Sequence, residues 1–212
     1  AKYGQRLIVD NTQAFFEKSV KGWAFNSARK FFGVPDGAYL YGSRTVAKVP
    51  VRNTRVRCGH LLDRLLEKKN AYEDFLKYEQ ELDSRIESMS IISQQMLGGV
   101  DYTKVSLRRS RNFNYLDKQF RGINLFDVPA LGGQVPLCYP LLLAHKINRD
   151  KLSRQGIFIP TYWKRRVDLR THGFKWVENL AERLLPLPID QRYQLTDLDR
   201  MIKSITKLVH SN

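Results

Sequence analysis

A lysine set between apolar residues and followed at once by a turn is the feature that most restricts this chain. In Phe25-Asn26-Ser27-Ala28-Arg29-Lys30-Phe31-Phe32-Gly33-Val34-Pro35-Asp36-Gly37-Ala38-Tyr39-Leu40, Lys30 abuts two phenylalanines and a Gly-Val-Pro-Asp-Gly segment. Proline and two glycines within five residues are turn-forming chemistry. Apolar surroundings disfavour an ammonium ion, which lowers a lysine's pKa and makes its amine a nucleophile. That is what Schiff-base chemistry with a carbonyl requires. The competing reading is a lysine whose stem merely lies along an apolar surface. Residue types alone leave both open.

The residues upstream add to the first reading. Arg6-Leu7-Ile8-Val9 reads as a short buried strand closed by Asp10, the pattern of a parallel strand whose C-terminal end faces a site. Gln13 follows one turn later and Lys30 twenty residues on. An enzyme using pyridoxal phosphate needs a lysine for the cofactor aldehyde, a carboxylate against the pyridine nitrogen and a donor near the ring oxygen. Lys30, Asp10 and Gln13 supply all three. Ser27-x-x-Lys30 also matches the nucleophile motif of penicillin-binding serine hydrolases, but its companions Ser-Asp-Asn and Lys-Thr-Gly are absent. There is no Gly-x-Ser-x-Gly elbow and no Walker phosphate loop.

The 212 residues suffice for one large domain or two small ones. Ala38 to Leu40 and Thr45 to Val51 are further strand candidates. From Leu61 to Leu97 apolar residues recur at helical spacing, a span long enough to predict a break near Asn70 or at Ser88 to Ser90. Gly98-Gly99 is the firmest stop, and a domain boundary is placed there, dividing residues 1–98 from 99–212. Asp101 to Arg121 is a second helix with Val105, Phe113, Leu116 and Phe120 inward. Strands are predicted at Ile123 to Phe126, at Val135 to Leu143 (an edge position, given Pro136 and Pro140) and at Ile157 to Pro160. A short helix runs from Asn148 to Gly156. Thr196 and Asp199 read as a capping box before a final amphipathic helix with Leu198, Met201, Ile202, Ile205, Leu208 and Val209.

Charge bounds the partners. Lys and Arg number 36 against 21 Asp and Glu, a formal +15. Such an excess attracts nucleic acid, an anionic membrane or a phosphorylated small molecule. No run of eighteen apolar residues exists to span a membrane, and no signal leader is visible. Two distant cysteines and four histidines without ligand spacing give neither a disulfide framework nor a metal site, and a reducing cytoplasm is the expected setting. The interleaved Tyr162-Trp163-Lys164-Arg165-Arg166 sustains an alternative reading as a basic nucleic-acid-binding module, although no recognised nucleic-acid motif accompanies it.

Leu7-Ile8-Val9-Asp10-Asn11-Thr12-Gln13-Ala14, with Ser27 to Leu40 after it, resembles the DegT/DnrJ/StrS group of fold-type I pyridoxal-phosphate enzymes, mostly sugar aminotransferases. The likeness continues through Arg109-Ser110-Arg111-Asn112-Phe113-Asn114-Tyr115-Leu116, Tyr139-Pro140-Leu141 and Gly156-Ile157, and through Leu185 to Asp190 with Tyr193 and Asp197. It implies an α/β fold: the end of the large parallel-sheet domain in residues 1–98 and a small α+β C-terminal domain in 99–212. It implies that Lys30 carries the cofactor and shuttles the substrate proton, that Asp10 pairs with the pyridine nitrogen, that Gln13 reaches the ring oxygen and that Ser27 touches the phosphate. The implied reaction moves an amino group from a donor such as glutamate to a nucleotide-linked keto sugar, in a dimer with shared sites. Members of the group are considerably longer. The resemblance therefore implies a C-terminal half, inactive by itself, and leaves room for a non-catalytic member.

Overall fold

A computed structural model describes residues 3–17, 22–42, 49–50, 58–68, 70–81, 84–162 and 175–210. The chain divides into two compact units, Ala1–Asp101 and Tyr102–Asn212. The expected strand Thr45 to Val51 lies, apart from residues 49 and 50, outside the described residues.

In the first unit, β1 (Ile8–Asn11) runs parallel to β2 (Trp23–Asn26), and β2 pairs antiparallel with β3 (Leu40–Tyr41). The register sets Asp10 beside Phe25 and Asn11 beside Asn26, so the polar ends of both parallel strands coincide. Entry into β2 depends on Gly22, whose φ is +84°. A Cβ there would stand 2.4 Å from the Leu7 carbonyl oxygen, the group that accepts the Trp23 N–H at 2.8 Å. β2 leads into a 3-10 turn, Ala28–Lys30, and then into Phe31 and Phe32, both buried.

The helical pattern of residues 61–97 resolves into α1 (Gly59–Leu65), α2 (Ala71–Gln80) and α3 (Ile91–Gly98), with breaks in both expected places. Glu67, at φ +54°, turns the chain out of α1. Glu73 and Asp74 occupy the first turn of α2, where acidic groups complement the helix dipole. The apolar periodicity is not a buried stripe in α1. Leu65 and Leu66 remain exposed and the buried side chain of that helix is His60, because fewer than two turns pack only one residue inward.

The second unit is built on α4 (Tyr102–Phe120), which buries Val105, Phe113, Leu116 and Phe120 as the spacing predicts. It packs with a two-stranded antiparallel sheet, β4 (Cys138–Leu142) and β5 (Leu184–Pro188), and with α7 (Leu195–Val209). Among the described residues, α5 (Arg149–Ser153) and α6 (Lys175–Arg183) are its other helices. The core joins Phe113, Leu116 and Phe120 to Tyr139, Leu141, Leu185, Leu187, Leu198, Met201 and Ile205.

Prolines sit inside both strands without breaking the ladder. Pro140 faces Pro186, and Cys138 faces Pro188. Antiparallel pairs alternate between bonded and non-bonded. The Leu142 N–H and C=O point away from β5, bonding Asn124 Oδ1 at 2.9 Å and Leu125 N at 2.8 Å. The pair Leu142–Leu184 is therefore a non-bonded one, and so, two and four residues on, are the proline pairs. Their missing N–H groups cost no ladder bond. The edge position expected from Pro136 and Pro140 has its cause here.

The same geometry corrects the strand expected at Ile123 to Phe126. Pro140 cannot donate to a further strand, so the Asn124 side chain stands in for one. It gives Nδ2 to the Pro140 carbonyl at 2.9 Å and takes the Leu142 N–H. The strand expected at Ile157 to Pro160 is also absent. Gly156, at φ +75°, sends the chain back to bond Leu152 through Ile157 N, and the Pro160 carbonyl accepts from Arg149 at 2.8 Å. The capping box lies two residues earlier than expected, between Gln194 and Asp197, while Asp199 accepts a hydrogen bond from the Tyr115 hydroxyl.

Asn124 carries a prediction. Replacing it with alanine leaves the Pro140 carbonyl and the Leu142 N–H without these bonds, and we expect a loss of about 2–3 kcal/mol. Urea unfolding followed through the second unit's tyrosines measures it. Asn124→Asp, which keeps the acceptor for Leu142, is expected to lose less.

Candidate active site

The ends of β1 and β2 bring the polar residues together, and an aromatic floor fixes the turns that follow. Phe15, in the turn after β1, meets Phe31 at 5.7 Å, Phe32 at 4.9 Å and Tyr39 at 5.9 Å between ring centroids. Aromatic pairs at such separations add about 0.5–1.5 kcal/mol beyond their buried area. Asn26 locks this floor from within. It is 1% exposed, donates Nδ2 to the Phe15 carbonyl at 3.0 Å and accepts the Tyr39 N–H on Oδ1 at 3.0 Å. One side chain thus joins the turn after β1, the end of β2 and the approach to β3.

On that floor the lysine and the aspartate converge through Thr12. Lys30 Nζ donates to Thr12 Oγ1 at 3.3 Å, and the Thr12 N–H donates to Asp10 Oδ1 at 2.9 Å. The Thr12 backbone and side chain hold the Asp10 carboxyl below the usual carboxylate range. Burial opposes this weakly, and the Lys30 charge lowers it further. Asp10 is thus an ionised acceptor beside a primary amine.

Lys30 itself is exposed, with Phe31 and Phe32 turned beneath it into the core. The apolar stretch that drew attention in the sequence is a support for the lysine rather than an envelope around it. Gln13 is exposed in the turn after β1 and Ser27 is half-buried ahead of the 3-10 turn. Of the four sequence-predicted positions, the hydrogen bonds join Asp10 and Lys30 through Thr12. Among the described residues, no hydrogen bond ties Gln13 or Ser27 to that pair. Thr12 and Asn26 were not singled out from sequence. The Asp-x-Thr spacing, which forms an Asx-type turn, is the signal that finds Thr12.

The turn after Lys30 is held as firmly as the one before it. Asp36 is buried and accepts on Oδ1 from the Ser90 N–H and hydroxyl, both at 3.1 Å, while the Ser90 hydroxyl caps α3 by accepting from Ser93 N. Gly37, at φ +115°, faces Met89, which a Cβ would touch at 3.4 Å. Arg29 is directed to Glu79 and Tyr78 of α2.

In the second unit the conspicuous group is Arg109, 1% exposed, which donates to Gln191 Oε1 at 3.1 Å and to the carbonyls of Pro136 and Leu137 at 3.2 Å each. Burial pushes its pKa down to about 10, against the pull of Asp190. Asn112, fully buried, donates to the carbonyls of Ile189, Asp190 and Tyr193. Both read as loop-organising groups. Residues 163–166 of the basic aromatic stretch fall outside those described. No helix among the described residues is long and apolar enough to cross a membrane.

The fold is that of fold-type I pyridoxal-phosphate-dependent aminotransferases, in the part that this chain spans. A sugar aminotransferase assignment attaches to the Streptococcus pneumoniae protein Spr1654, whose pyridoxal-phosphate form superposes with TM-score 0.60 at 14% identity over 96% of this chain and 57% of that one. A DegT DnrJ EryC1 StrS aminotransferase from Brucella abortus gives 0.54 at 16% identity over 94% and 56%, and the sugar aminotransferase CalS13 from Micromonospora echinospora gives 0.53 at 15% over 94% and 57%. The chain spans between 56% and 59% of the length of these structures. No protein-family model matches it and no curated protein matches it in sequence.

The titration of Asp10 tests the central contact. Its depressed pKa means that it contributes stability above the unfolded-state carboxyl pKa of about 3.9, lost as the pH falls through the folded value. Thr12→Val, which deletes the hydroxyl and keeps the N–H, is expected to move the Asp10 carboxyl midpoint upward toward the ordinary value. Carbon-detected NMR titration reads it.

Proposed function

We propose that the chain is the lysine-bearing part of a pyridoxal-phosphate-dependent sugar aminotransferase, with residues 1–98 closing the large cofactor-binding domain and 99–212 forming the small one. The observation that carries this reading is the meeting of Lys30, Thr12 and Asp10 at the C-terminal end of a parallel strand. The likeness to sugar aminotransferase structures supports it.

The donor set fits the cofactor. Pyridoxal phosphate, when bound, supplies an aldehyde that condenses with a lysine amine and a ring that accepts the electron pair released at the substrate carbon. Lys30 offers an exposed amine for that condensation. In its free form, Lys30 Nζ would take the proton from the substrate carbon and return it two atoms along, across the nitrogen, to the former aldehyde carbon. Asp10, held ionised by Thr12, would keep the proton on the pyridine nitrogen. Thr12 Oγ1 receives the lysine N–H and so sets the amine beside the carboxylate. Gln13 has the amide to donate to the ring oxygen, and Ser27 the hydroxyl for the phosphate.

The substrate in this reading is a nucleotide-linked keto sugar, with glutamate as the amino donor and a cytoplasmic dimer as the working form. The distribution of charge supports an anionic substrate. Residues 102–212 hold 20 Lys and Arg against 9 Asp and Glu, which is +11 of the total +15.

Trapping with borohydride tests the reading. After incubation with pyridoxal phosphate, reduction and peptide mapping, one pyridoxyl group is expected on the Lys30 peptide, and Lys30→Arg is expected to abolish it. Label scattered over surface lysines, unchanged by that substitution, sinks the assignment.

A further inference from the structure

The Lys30 turn is gripped on both flanks by one side of α2, and the grip uses residues that no step of the proposed chemistry employs. On the near flank, the Arg29 guanidinium lies over the Tyr78 ring at 5.2 Å from its centroid and pairs with the Glu79 carboxylate. On the far flank, the Tyr78 hydroxyl donates to the Pro35 carbonyl. Tyr78 is itself fixed by the buried His60, whose ring stacks on it at 4.7 Å and 26°. α2 therefore reaches the residue immediately before the lysine and the turn five residues after it. Between these two points lie only Lys30, the two floor phenylalanines, Gly33 and Val34.

We propose that Tyr78 and Glu79 are positioning residues for Lys30, a clamp that holds the lysine turn so that the amine meets Thr12 and Asp10. The inference rests on the reading of Lys30 as the cofactor lysine for its purpose, but not for its geometry. Arg29 is the handle. A second cation directly beside the lysine is drawn off to the Glu79 carboxylate and the electron-rich face of Tyr78. Without those partners its charge is free to approach the Asp10 carboxylate in competition with Lys30. The exposed ion pair contributes little to stability, so its worth is in placement. The Tyr78 hydroxyl acts on the opposite side by fixing the carbonyl that precedes Asp36, whose bond to Ser90 fixes the rest of the turn.

The experiment uses the full chain with Glu79→Gln, Tyr78→Phe and Tyr78→Leu, and Glu79→Asp as the conservative control. Two readouts locate the amine. A carbodiimide activates the Asp10 carboxylate, and the Lys30 amine displaces the activating group as a urea to give an amide between the two side chains. The yield of that cross-link reports their proximity without any cofactor. Pyridoxyl trapping on Lys30 reports the competence of the amine. In Tyr78→Leu and Glu79→Gln both are expected to fall about tenfold, within the range that a small misplacement of a reacting group produces. Tyr78→Phe is expected to lower them less, and Glu79→Asp to restore them. Thermal unfolding of Glu79→Gln is expected to match the parent, which separates placement from folding. Cross-link yield and trapping equal to the parent in both Glu79→Gln and Tyr78→Leu overturn the clamp. A parent chain that cross-links Asp10 to Lys30 but traps no pyridoxyl group overturns the cofactor reading instead, and the cross-link series still decides the clamp.

Discussion

The position of Lys30 depends on a buried amide. Asn26 sits where β2 ends, and its side chain bonds the carbonyl of one loop and the N–H of another. A buried polar group costs free energy unless its partners are present, by about 1–3 kcal/mol for each one left unmet. Asn26 therefore acts less as added adhesion than as a condition on geometry. The turn after β1 and the approach to β3 must both come to it, or the buried amide destabilises the whole arrangement. Once they do, Phe15 is set against Phe31 and Phe32, the 3-10 turn has its floor, and Thr12 stands in reach of Lys30.

The second unit solves a similar problem with different residues. Its loops at 136–137 and 189–193 carry carbonyls that no strand or helix satisfies, and Arg109 and Asn112 on α4 reach out to them. A guanidinium suits this task because its five N–H groups are held in one plane and it stays charged after burial has taken its pKa down to about 10. The two residues lie three apart and so share one face of α4. A helix chosen only for its apolar stripe would have placed a leucine at either position.

How far the sequence disclosed this arrangement follows from which force decided each element. The long helices α4 and α7 were legible because apolar periodicity reflects burial against a core, and both are buried as spaced. The strands at 123–126 and 157–160 were misread because their apolar residues signalled burial while hydrogen bonding decided against pairing: Pro140 has no N–H to offer, and Gly156 turns the chain back. The capping box was placed two residues late because Thr196-x-x-Asp199 and Gln194-x-x-Asp197 overlap, and Asp199 is taken by the Tyr115 hydroxyl. At the site, Asp10 and Lys30 were legible as a chemical pair. Thr12, which joins them, was not, since a threonine in a turn carries no chemistry of its own until the geometry gives it two partners.

The exposure of Lys30 bears on what the apolar stretch around it means. Aromatic neighbours in sequence suggest a desolvating envelope, but Phe31 and Phe32 are buried in the floor while Lys30 is exposed. What an apolar sequence context supplies here is rigidity of the backbone under the lysine, and the polar groups Thr12 and Asp10 supply its electrostatic setting. That floor does not desolvate the amine, and at the start of β1 Ile8 is also open to solvent, at 67% exposure. A parallel strand is ordinarily covered on both faces. The exposed Ile8 and the exposed amine are therefore two separate departures, one at the start of β1 and one past the C-terminal end of β2, and the floor formed by Phe31 and Phe32 covers neither.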